Sequence, residues 1–129
     1  MAKTSRSPYN GARYITRQIL KNTEVTVKMT GEVLFVDASS SITLNISFMS
    51  KGSYFKIIIK DHSTEAVTIN MGSVSGILFS DDGTKVISES YKDQQQLTIP
   101  AGSAAGSFID LLCDGEKWYA QGLIAQAPQ

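Results

Sequence analysis

Period-two alternation dominates this chain from residue 24 onward. Ile42, Leu44, Ile46 and Phe48 alternate with Thr43, Asn45 and Ser47, which sends the first set to one face of a strand and the second to the other. The same pattern predicts strands over Glu24–Met29, Glu32–Val36, Tyr54–Lys60, Ala66–Asn70, Gly76–Ser80, Lys85–Tyr91, Gln96–Ile99, Ser107–Cys113 and Glu116–Gly122. Polar turns separate them at Thr30-Gly31, Asp37–Ser41, Lys51–Ser53 and Asp61–Glu65. Asp-Gly occurs between apolar runs at Asp82-Gly83 and Asp114-Gly115, a strong short-range hairpin signal. Three consecutive isoleucines, Ile57 to Ile59, predict a central strand covered on both faces. No helix-period window of useful length follows residue 22. The expected fold is all-β: an antiparallel β-sandwich or jelly roll of about ten short strands with an extended N-terminal arm.

The arm is set apart by charge. Residues 1–28 carry Lys3, Arg6, Arg13, Arg17, Lys21 and Lys28 against Glu24 alone, a net of +5, whereas residues 29–129 hold six bases against eleven acids, a net of −5. The whole chain of 129 residues is neutral. All three arginines precede residue 18, and their planar donor forks suit carboxylates and phosphates. Ser7-Pro8-Tyr9-Asn10-Gly11 reads as a turn, and Ala12–Leu20 as a short helix or an extended segment too short to order without a partner. The expected division is an arm over 1–23 and a β body over 24–129. The expected partner-binding residues are Arg6, Tyr9, Arg13, Tyr14, Ile15 and Arg17, cationic forks beside apolar anchors. A frayed basic terminus is the plain alternative.

Little else in the chain suggests chemistry. His62 is the one histidine and sits in a turn beside Asp61 and Ser63, where adjacent side chains do not form a triad. Asp81-Asp82-Gly83 reads as a turn rather than a calcium loop. Asp114 and Glu116 flank a turn and lack the cleft of a glycosidase pair. Cys113 sits beside Leu111 and Leu112 and reads as a buried, inert thiol. A lone cysteine fits a reducing cytoplasm. Met1–Tyr9 lacks the apolar stretch of a signal peptide, and no run reaches the length of a membrane span. Trp118 and Tyr119 should face opposite ways, one inward. The expectation is therefore no enzyme, no cofactor, no metal and no membrane partner, with nucleic acid a minor alternative open to the basic arm alone.

The segment Gly106-Ser107-Phe108-Ile109-Asp110-Leu111-Leu112-Cys113-Asp114-Gly115-Glu116-Lys117-Trp118-Tyr119-Ala120-Gln121-Gly122 resembles the closing hairpin of small β-sandwich modules in tailed-bacteriophage virion proteins. Those modules run from a Gly-Ser entry through an apolar strand and Asp-Gly to Trp, a short strand and Gly. Leu97–Gly102 and Phe55–Lys60 suit the same rhythm, which covers residues 42–122. With one compact body and a basic arm, the chain is most similar to a capsid decoration (cement) protein. The resemblance implies a homotrimer on the exterior of a virion, made in the host cytoplasm, whose arm lies on the major capsid protein or another virion protein. The other role it implies is a tail-fibre, head-fibre or baseplate module binding a host-surface glycan, through an aromatic such as Tyr119 or Tyr91.

Overall fold

The chain wraps back and forth around one core. The computed structural model describes residues 13–81 and 86–127, with backbone alone at 81 and over 86–92. Strands β1 (Thr16–Ile19), β3 (Val33–Val36) and β5 (Tyr54–Ile59) lie side by side and parallel. The strands between them in sequence, β2 (Thr23–Val25), β4 (Ile42–Ile46) and β6 (Val67–Asp81), form a second parallel set. Each polar connection, such as Asp37–Ser41, carries the chain from one set to the other. A parallel pair needs a long crossover, and in this fold the opposing strand is that crossover.

Three more strands close the structure. β7 (Val86–Ile99) runs antiparallel along β6, and β8 (Phe108–Cys113) runs antiparallel to β5. β9 (Trp118–Ala125) pairs antiparallel with β8 and parallel with the second half of β6. The order is β1-β3-β5-β8-β9-β6-β4-β2, with β7 on β6.

The all-β expectation is met with nine strands among the described residues. The expected antiparallel order is not: five of the eight pairings are parallel and three antiparallel. The segments expected as separate strands at 66–70 and 76–80 are one long β6, and those at 85–91 and 96–99 are one long β7. Glu24–Met29 is strand only to Val25, because Val27–Met29 coils into a 3-10 turn that buries Met29 and leaves Val27 exposed.

One apolar cluster fills the space between the inner faces. It takes Leu34, Val36, Phe55, Ile57, Ile59, Ile109 and Leu111 from one side and Ile42, Leu44, Ile46, Val67, Ile69, Leu97 and Ile99 from the other. Trp118 is fully buried, with its ring 5.8 Å from both Phe48 and Phe55, and its indole N–H donates to the Phe48 carbonyl at 3.3 Å. The neighbouring Tyr119 points outward, as alternation requires.

The arm boundary moves. Ile19 is buried beside Val36, and the Val33 and Asp37 amides donate to the Ile15 and Ile19 carbonyls. Residues 16–23, expected to belong to the arm, are thus built into the body, because burying Ile19 and pairing β1 orders them within their own chain. Arg6, Tyr9 and the turn expected at residues 7–11 lie outside the described residues, as does the Asp82-Gly83 tip.

β6 contains the irregularity on which the outer surface depends. Val67, Ile69 and Met71 face the core, and so do Val74 and Leu78, so inward parity changes from odd to even. The register with β7 shifts between Asn70 and Val74, and again between Val74 and Gly76, as a β-bulge does. Farther along, a Cβ on Gly76 would collide with the Ala120 carbonyl oxygen of β9, and one on Gly122 with the Phe108 carbonyl oxygen of β8. Gly76→Ala and Gly122→Ala are each expected to lower stability by about 1–3 kcal/mol, the usual range for overpacking. Urea titrations would register this as a lower midpoint with an unchanged slope.

Candidate interaction surface

The outward face of β3, β5, β8, β9 and the second half of β6 is largely apolar. Register aligns Phe35, Ile58, Phe108, Leu123 and Phe79 in one row across five strands. A neighbouring row runs Val33, Lys56, Asp110, Gln121 and Ile77, and a third runs Tyr54, Leu112, Tyr119 and Ser75. Leu112 is 51% exposed, Ile77 49%, Phe79 47% and Leu123 42%. Nothing among the described residues covers them. Ile58, expected to be covered as part of the isoleucine run, instead sits half-buried on this outer face.

The few charges on this face are paired locally. Lys56 places its ammonium 4.7 Å from the Phe108 ring centroid and is the register neighbour of Asp110. The Tyr54 hydroxyl donates to Asp110 Oδ1 at 2.7 Å. Lys117 lies over Tyr119 at 5.4 Å and pairs with Asp93 at 3.3 Å. Tyr54, Asp110, Leu112, Tyr119 and Gln121 line a shallow hollow of about 240 Å³. Partial burial pushes the Tyr54 phenol up to about 12, helped by the bond to Asp110 and by the proximity of that carboxylate and of Tyr14.

The expected arm residues divide at Thr16. Arg13, Tyr14 and Ile15 are exposed, with Tyr14 at 75% and Ile15 at 69%. Arg17 is not available to a partner in the way the sequence suggested. Its Nε donates to Glu32 Oε1 at 2.7 Å and its Nη2 to Glu32 Oε2 at 3.0 Å. This fork raises the Arg17 pKa through the hydrogen bond first and the charge second. Glu32 is a buried carboxylate, and that is why it holds the arginine within its own chain.

The residues weighed for chemistry have structural partners. His62 is exposed and its Nδ1 accepts the Ala105 amide at 3.0 Å. Ser63 is buried, its hydroxyl accepting the Ser103 amide at 3.0 Å, so the two neighbours face different groups. Asp114 Oδ1 accepts the Lys117 and Glu116 amides at 2.9 and 2.8 Å, which lowers its pKa. Cys113 is buried. The Tyr91 side chain lies outside the described residues. No group of three or more metal-ligating side chains occurs among the described residues, and no helix among them is long and apolar enough to cross a membrane.

Sequence reasoning missed the apolar face because its rows run across five strands and form only through their register. The signal was present in Ile58, Leu112 and Leu123, apolar residues at positions where a half-buried strand would place polar ones. No family model matches the chain, and no curated protein or solved structure matches it either.

The Tyr54 phenol supplies a pH test. Its folded value lies above the ordinary 10.0, so its contribution to stability is intact below pH 10 and disappears as the pH climbs through about 12. Ultraviolet phenolate titration should show one tyrosine ionising last, and Tyr54→Phe should remove that final transition.

Proposed function

We propose that this chain is a structural protein of a virion, a capsid decoration (cement) protein that stabilises a shell by bridging its subunits. The observation that supports this is the apolar row from Phe35 to Phe79 on the outside of a folded body, with Leu123 and Phe79 exposed and Phe35, Ile58 and Phe108 half-buried. Contiguous exposed apolar surface rimmed by polar groups marks a protein interface. In this reading the face packs against further copies of the chain in a trimer, which leaves the arm to reach the major capsid protein or another virion protein.

Charge supports the same division of labour. The face carries Lys56 and Asp110 as register neighbours, so a second protein meets a surface without net charge and loses little on desolvation. Arg17 is already paired within the body, which confines the gripping part of the arm to residues before Thr16. Arg13, Tyr14 and Ile15 are its described members. Linking several arms through one assembled body turns weak single contacts into effectively intramolecular ones.

Light scattering on the purified protein, alone and mixed with undecorated shells, tests the proposal. The expected result is a stable trimer that binds shells, while Phe79→Glu combined with Leu123→Glu yields a folded monomer. Removing residues 1–15 should leave a folded trimer with reduced shell occupancy, since the cut spares Ile19 and its core contacts. A wild-type monomer indifferent to shells would overturn the reading.

A further inference from the structure

The outer face of the other strand set has the opposite character. Glu24, Asn45, Asn70 and Gln96 stand in register across β2, β4, β6 and β7, beside a row of Thr43, Thr68 and Thr98. Asn45 Nδ2 donates to Glu24 Oε2 at 2.8 Å, and Asn70 Nδ2 donates to Asn45 Oδ1 at 2.9 Å. Where the register of β6 against β7 shifts after Asn70, a groove of about 490 Å³ opens. Asn45 and Asn70 line it between Glu24 on the β2 side and Gln95 and Gln96 on the β7 side.

We infer that this groove binds a neutral saccharide. Each amide offers both a donor and an acceptor, which matches a sugar hydroxyl that does both. Glu24 adds an acceptor for a diol. The ladder bonds hold the Asn45 and Asn70 amides in set orientations, whereas the side chains of Gln95 and Gln96 make no hydrogen bond among the described residues and remain available to a ligand. Among the described residues no lysine or arginine lines the groove, and the one charge is the carboxylate of Glu24, which disfavours phosphates, nucleic acids and acidic sugars. No aromatic ring of the described residues lines it, so a single site holds its ligand weakly and gains strength from several copies.

The same ladder would lock strand register without any ligand. What separates the two roles is the groove itself, because a register lock needs only Glu24, Asn45 and Asn70 and has no use for the glutamines opposite them. The site also lies on a different face from the apolar row, so a trimer built on that row leaves the groove accessible.

NMR titration of the intact protein with gluco-, manno- and galacto-configured tetrasaccharides, and with a sialylated one, tests the inference without shells and so independently of the decoration reading. At least one neutral tetrasaccharide should shift groove resonances with a Kd on the order of millimolar. Gln96→Ala, and separately Glu24→Gln, should weaken it at least tenfold, and Tyr119→Ala should leave it unchanged. The inference fails if no neutral sugar binds, if the sialylated sugar binds more tightly, or if binding follows Tyr119 rather than the groove residues.

Discussion

A single core shared by two alternating strand sets governs this molecule. Because consecutive strands land on opposite sides of that core, none of the first five pairs with its sequence neighbour. β6 breaks the rule by pairing with β7, and its length lets it also meet β4 with its first half and β9 with its second. The change of parity between Met71 and Val74 lets both halves point apolar residues inward. It also decides the outside: before it β6 presents Thr68 and Asn70, and after it Ile77 and Phe79. One local irregularity thus separates a polar surface from an apolar one on a single strand.

The strands were legible in the sequence and their partners were not. Alternation located β3, β4, β5 and β8 nearly to the residue, since inward positions such as Leu44 and Ile57 must be apolar whatever strand lies alongside. Partner choice depends on what the connection does, and a polar turn looks the same whether it makes a hairpin or crosses the core. Glycine does not separate the two kinds. Asp114-Gly115 closes a true hairpin with Gly115 at φ +98°, but Gly31 and Gly52, at φ +86° and +84°, sit in connections that cross the core, in a conformation that glycine adopts readily. Asp37–Ser41 crosses without a glycine, its Ala38 carbonyl accepting the Thr64 and Glu65 amides of the β5–β6 connection.

Surface chemistry was harder to read, for a related reason. Arg17 looked like a residue reaching outward because its run is basic, but its ionic partner lies fifteen positions away at Glu32 and is brought close only by the parallel β1–β3 pairing. Asn45 and Asn70 are unremarkable in isolation and become a ladder only through register. The ionic, apolar and amide features of the surface are all products of strand order, which is why a chain read along its length shows their parts and not their sum.

The position of β9 has a kinetic consequence. It is the last of the nine strands in chain order and lies in the interior of the sheet order, between β8 and β6. Until it arrives, β8 and the second half of β6 present bare edges, and the cavity reserved for Trp118 stands empty. Synthesis proceeds from the N-terminus, so a growing chain would carry those two edges unsealed until the β8–β9 hairpin clears the ribosome. β9 is thus the keystone of the described sheet, closing the two edges that β8 and the second half of β6 leave open.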